Sequence, residues 1–320
     1  MWYNAPMKKI AIVVIVIVIA LVVFKDFFIQ SAICNVGTSV LGAPVEVGSF
    51  GWDLFTQKIH VRNLRVFNPP GFPSQPLIDI PAIDVDYDLP ALMKGNLHFP
   101  YIHIDLKEMV IVKNAEGRLN VDALKVSQKP TAQPSSPSTQ VIRPLSIDVM
   151  KLSLDRTVYM DYTRSNQPVV KVFDVGFKDK VFKNIKSVQQ LSIVILTQGM
   201  GPAAIKTAAI YGVATILGAS FLPVGMVAVL IGKDSTEEEY TADFGHVYGA
   251  ALTLLKDENG FVSEDRSHGI IKGNIDGSTL TVQIQQVGDR VHVSASSRKM
   301  MIPRHEIASG YMYQLSNRLK

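Results

Sequence analysis

His98, His103 and Asp105 are the densest set of possible metal ligands in the sequence. On a strand, His103 and Asp105 share a face. Tyr101 and Lys107 lie on that face too, so the set reads as the wet side of a half-buried strand rather than a metal centre. Asp84, Asp86 and Asp88 resemble a calcium loop in spacing, but the central glycine and distal glutamate of such a loop are missing. They alternate with Ile83, Val85, Tyr87 and Leu89, as the polar face of a two-sided strand does. His246, His268, His292 and His305 have no common spacing that would form an acid–base set, and they read as surface residues. Ser153, Ser192 and Ser294 lack the G-x-S-x-G context of a nucleophile. No phosphate-binding loop or Cys/His metal spacing occurs. The expectation is a protein with no catalytic residue, no metal and no cofactor, and not an enzyme.

The elements that carry these residues belong to a chain of 320 residues, enough for two domains. Apolar residues make up 47% and mean hydropathy is +0.19, high for a soluble protein. The net charge of +4 and the lack of a basic stripe interleaved with aromatics exclude a nucleic-acid footprint. Ile10 to Phe24 is an uncharged aliphatic run between Lys9 and Lys25. With both lysines snorkelling, Met7 to Ile29 reaches membrane thickness. No A-x-A cleavage site follows, so the run reads as an uncleaved anchor rather than a signal peptide. Lys8 and Lys9 place the N-terminus in the cytoplasm and export the rest. Cys34 is the only cysteine, which rules out an intramolecular disulfide.

The expected organisation is a tail (1–7), an anchor (8–29) and a first β-block (30–124) that opens with a short helix from Asp26 to Gly42. A Pro/Ser/Thr-rich flexible linker (125–140) and a second β-block (141–202, with strands to about Val194) follow. Residues 203–232 contain a charge-free stretch long enough to span a bilayer, read as a hairpin in the membrane or a helix on the sheet. Residues 236–320 form a compact unit of helix, three-stranded meander and helix, expected to fold on its own. Its helices are Thr241 to Asp257 and Pro303 to about Leu319, and Asp276-Gly277 and Gly288-Asp289 are its tight turns. Ile59–Val66, Ile104–Ile111 and Ile147–Leu154 repeat one pattern, apolar at positions 1, 3, 6 and 8. The switch of parity predicts a β-bulge in each of these strands. Gly117 and Asn120 in "AEGRLNVDAL" read as a structural turn.

"VRNLRVFNPPGF" (Val61–Phe72) and the stretch Ile78–Leu124, with "DLPALMKG" at Asp88–Gly95 and "GRLN" at Gly117–Asn120, resemble the N-terminal region of AsmA-like proteins. With the anchor, the resemblance covers about residues 1–195. It implies an N-terminal transmembrane helix and a curved, mainly antiparallel sheet of AsmA-like repeats; with the hydrophobic helical segment and the small α+β domain that follow, the expected fold class is α+β. It also implies a single-pass protein of the bacterial inner membrane, with its bulk in the periplasm. The last unit resembles a small domain found in bacterial lipoproteins of unknown function. The family is similar to β-groove lipid-transfer proteins, which implies membrane phospholipid and other envelope proteins as partners. Ile83, Val85, Tyr87, Leu89, Ile102, Ile104 and Leu106 are then the expected lining of an apolar groove for acyl chains. A dozen strands would extend about 50–60 Å, too short to bridge two membranes. The alternative expectation is an envelope scaffold for outer-membrane biogenesis that carries no lipid.

Overall fold

The computed structural model describes residues 29–128, 145–203, 205, 207, 209–210, 213, 235–299 and 302–320. Apart from residue 29, the expected tail and anchor lie outside them. So do residues 129–140 of the expected linker and most of the 203–232 stretch. Among the described residues no helix is long and apolar enough to cross a membrane. The fold is α+β, with two curved, mostly antiparallel sheets.

The two-residue period of the first half folds into β1 (Val45–Asp53), β2 (Lys58–Phe67), β3 (Pro76–Asp86), β4 (Leu97–Lys113), β5 (Leu145–Asp161) and β6 (Val169–Ile185). They pair in chain order. All neighbours are antiparallel except β4 and β5. A parallel pair needs a long crossover. Its described part includes two 3-10 turns, Asn120–Ala123 and Lys125–Ser127. Val121 and Val126 from these turns, and Leu124 between them, are buried in the core of the sheet. The flexible linker therefore does not begin at Lys125: Ser127 Oγ donates to Val121 O at 2.7 Å and holds the turn down. At about 4.8 Å per strand, six strands make a sheet roughly 24 Å across. That is about half the expected extent, because the other strands form a separate sheet.

The parity switch seen in the sequence is real, but bulges do not make it. The core takes Ile78, Ile80, Ile83 and Val85 from β3, and Ile102, Ile104, Leu106, Met109 and Ile111 from β4. Register is nevertheless unshifted along the β1–β2, β3–β4 and β4–β5 pairs. Adjacent strands change face together, so none has to bulge against its neighbour. Asn63, at φ 52, makes the change in β2. Opposite it, Gly48 leaves the room, since a Cβ there would lie 2.9 Å from Asn63 Cβ. Within this sheet, register shifts occur only at Val66/Phe67 and at Leu152/Leu154/Arg156. In β5 the core takes Ile147, Met150, Leu152 and Leu154, so Met150 replaces the expected Val149.

Helix α1 is described over residues 29–41 and ends at Gly42, which has φ +70. Helix α2 (Leu89–Met93) is a single turn. Helix α3 (Val188–Met200) occupies sequence that was expected to be strand as far as Val194. Ser187 Oγ accepts from Gln190 N at 3.0 Å, and Gln190 Oε1 accepts from Lys186 N at 2.8 Å. These two bonds cap the helix in the manner of a Ser-x-x-Gln box and override the β-branched run that follows. Ile193, Val194, Leu196 and Met200 then close much of the sheet's apolar face.

The second sheet has the order β12-β11-β10-β9-β8, with β7 also on β11. Its strands are β7 (Ser235–Tyr240), β8 (Phe261–Asp265), β9 (Ile270–Ile275), β10 (Ser278–Val287), β11 (Arg290–Lys299) and β12 (Ile302–Pro303). The expected meander is β9–β11. Asp276 and Gly277, at φ 53 and 72, form its first turn, as a type I′ hairpin requires. Helices α4 (Phe244–Asp257) and α5 (His305–Leu319) cover one face with Val247, Tyr248, Ala251, Ile307 and Tyr311. The unit is also docked on the first sheet. Tyr313 of α5 packs on Val110, Val112, Val158 and Val172, which form a second apolar patch. Asp276 pairs with Lys171 at 2.6 Å and with Arg164 at 2.8 Å.

Candidate functional site: an apolar cavity under two helices

α1 and α3 both lie on the apolar face of the first sheet. Between them is a cavity of about 250 Å³. Its floor is Leu64, Val66, Ile78, Ile80, Ile83 and Ile104. Val36, Gly37, Val40 and Leu41 of α1 form one wall, and Val188, Leu191, Ser192, Ile195 and Leu196 of α3 the other. Leu124 and Val126 of the crossover complete it. Among the described residues no charged side chain lines it, and Ser192 Oγ donates to Val188 O at 2.9 Å. Water needs two to four polar partners to be held in a buried space, and this lining supplies almost none. The cavity exceeds the roughly 150 Å³ that holds benzene in an apolar core. At its rim, Val36 is 62% exposed and Val188 46%. A hydrocarbon fits such a space.

Of the expected lining, Ile83 and Ile104 face the cavity. Val85, Ile102 and Leu106 are buried in the same core without lining it. Tyr87 is buried elsewhere: its ring meets Trp52 edge-on at 6.1 Å and its hydroxyl donates to Asp53 O at 3.2 Å. Leu89 is not a strand residue. Asp88 Oδ1 accepts from Ala91 N at 2.9 Å and Pro90 favours a helix start, so the alternation stops at Asp86 and α2 begins. The residues that sequence reasoning missed are the walls. α1 was legible as a helix but not as a lid over the sheet, and α3 was hidden inside a strand assignment.

The polar candidates resolve into structural ion pairs. Asp84 pairs with Arg62 at 2.7 Å and His60 at 2.6 Å, and Asp86 with Lys58 at 2.7 Å. His98 bridges Asp148 at 3.0 Å and Asp88 at 3.1 Å, and both carboxylates raise its pKa, Asp148 the more. His103 faces Asp179 at 3.3 Å. Among the described residues no group of three or more His, Cys, Asp or Glu is placed to hold a metal. His305 is buried, not a surface residue. Ser309 Oγ lies 3.1 Å and Asp174 Oδ2 3.4 Å from its Nε2. A nucleophile relay needs its two partners on opposite ring nitrogens, so this cluster is not one. Gly117 (φ +79) closes a turn with its N donating to Asn114 O at 2.9 Å, and Asn120 lies beyond it at the start of the 3-10 turn Asn120–Ala123.

Compared with known proteins, the chain matches no family model and no curated protein. The resemblance to AsmA-like proteins therefore rests on its own quoted residues.

Proposed function

We propose that the protein shelters hydrocarbon, the acyl chain of a membrane lipid, in the cavity between α1 and α3. The observation that carries this reading is an uncharged, almost wholly apolar lining with exposed valines at its rim. A closed core would fill such a space, because empty volume is destabilising by about 24 cal/mol per Å³. In this reading residues 8–29 anchor the chain in a bacterial inner membrane, with the bulk in the periplasm as in AsmA-like proteins. The short sheet then holds or hands on one chain rather than conveying lipid over a distance. A scaffold without lipid is the second reading. It is favoured by the burial of Val85, Ile102 and Leu106, which makes most of that face core.

Titration with a fluorescent fatty acid tests the proposal. Leu191→Trp and Ile83→Trp each fill the cavity from one side. Binding by the wild type and loss of at least tenfold in affinity in both variants, with near-native melting, is the expected result. A wild type that binds nothing, or filled variants that bind equally well, would leave the scaffold reading.

A further inference from the structure

One row of paired residues marks an end of the first sheet: Asp53, Lys58, Asp86, Tyr101, Val149 and Lys183 face one another in turn across β1 to β6. The β1–β2 turn, α2 and the start of α3 project beyond it. Phe55 in that turn is 99% exposed, Met93 of α2 82% and Leu54 48%. These residues are held outward by a built tip. Asp53 Oδ1 accepts from Phe55 N at 2.8 Å and Thr56 N at 2.9 Å. Gln57 ties the turn to α2, its backbone oxygen accepting from Tyr87 N at 3.0 Å and its Oε1 from Leu89 N at 3.2 Å. Lys58, Lys94, Lys183 and Lys186 are exposed at the same end and outnumber its exposed carboxylates, Asp53 and Asp148.

We infer that this end of the sheet docks on an anionic lipid bilayer, with Leu54, Phe55 and Met93 entering the headgroup layer. Apolar side chains on a protruding tip reach the acyl boundary while neighbouring lysines stay among the phosphates. The direction of the chain supports a lipid surface over another occupant. Gln30 Nε2 donates to Val47 O, and Thr38 Oγ1 accepts from Val45 N. β1 runs from Val45 toward the tip, so α1 recedes from the tip as it proceeds. Its beginning, the side from which the aliphatic run Ile10–Phe24 connects, is the side nearer the tip. Docking of the tip rests on the reading of residues 8–29 as a membrane anchor and does not depend on the cavity holding lipid.

The test uses the full chain with Cys34→Ala and single spin labels at cysteines replacing Leu54, Phe55, Met93 or, as a control on the other sheet, Val287. The protein is reconstituted in vesicles of phosphatidylethanolamine and phosphatidylglycerol. Labels at 54, 55 and 93 should relax several-fold more with oxygen relative to an aqueous nickel chelate than the label at 287. Lys94→Glu with Lys186→Glu should reduce that contrast at 55 while the melting temperature holds. A label at 55 as open to the nickel chelate as that at 287 would overturn the inference. So would shielding from both reagents, which means a covering protein segment, or spin–spin broadening, which means a second copy. None of these outcomes alters fatty-acid binding, so this inference and the cavity proposal fail separately.

Discussion

Asn120 is fully buried and uses both ends of its amide. Oδ1 accepts from Val112 N at 3.0 Å and Val121 N at 2.9 Å, while Nδ2 donates to Val110 O at 2.9 Å and Asn68 Oδ1 at 2.6 Å. Each buried polar group left without a partner costs about 1–3 kcal/mol. Asn120→Ala orphans two backbone N–H groups and is expected to lose about 3 kcal/mol in chemical unfolding. A loss under 1 kcal/mol would mean that the crossover is not pinned there. The last unit carries the opposite case. Burial pushes the Glu258 carboxyl up to about 7, with Asp257 adding to the rise and the Gln314 hydrogen bond opposing it. Its Oε2 is buried with no hydrogen-bond partner among the described residues. The folded state therefore holds a proton that the unfolded state releases above about 4.5, so stability falls as pH rises from there to about 7 and is flat beyond. At about 1.4 kcal/mol per unit the effect is at most about 3 kcal/mol. Glu258→Gln should flatten the dependence and stabilise the protein at pH 8, as measured by denaturant midpoints at pH 5 and 8. An unchanged slope would place the proton elsewhere.

At the scale of elements, close approach fixes how the two sheets are joined. A Cβ on Gly310 of α5 would lie 1.9 Å from Val170 O of β6. Backbone cannot give way as a flexible side chain does, so Gly310→Ala must lift the helix, at about 1–3 kcal/mol. Its melting temperature should fall, and Tyr313 should lose its contact with Glu108 Oε1, now 3.2 Å. An unchanged melt would show that α5 does not seat on β6 so closely. Elements were legible in the sequence where burial imposed a period. β2 to β5 and the β9–β11 meander each bury alternating side chains, and Asp276-Gly277 announced its turn. β7 carries the polar run STEEEY and β8 buries none of its side chains. Without a buried face no period exists to read. α3 was missed for another reason: the β-branched, apolar run LSIVIL outweighed its cap, although Ser187 and Gln190 stood at the right spacing.

For the whole molecule, the candidate site was legible only in part. Ile83 and Ile104 were named from alternation, but a two-residue period is the same for a groove and for a closed core. The cavity exists because α1 and α3, far apart in sequence, both settle on one sheet face and leave a gap. That pairing is tertiary and leaves no local trace. The two functional readings differ at this gap: one places an acyl chain in it and the other does not. Native mass spectrometry of the purified full-length protein, with the bound species extracted and identified, addresses the difference directly. A stoichiometric lipid or fatty acid on the wild type that is lost from Leu191→Trp is the expected result. A wild type that flies without bound lipid, or a filled variant that retains the same load, would contradict it.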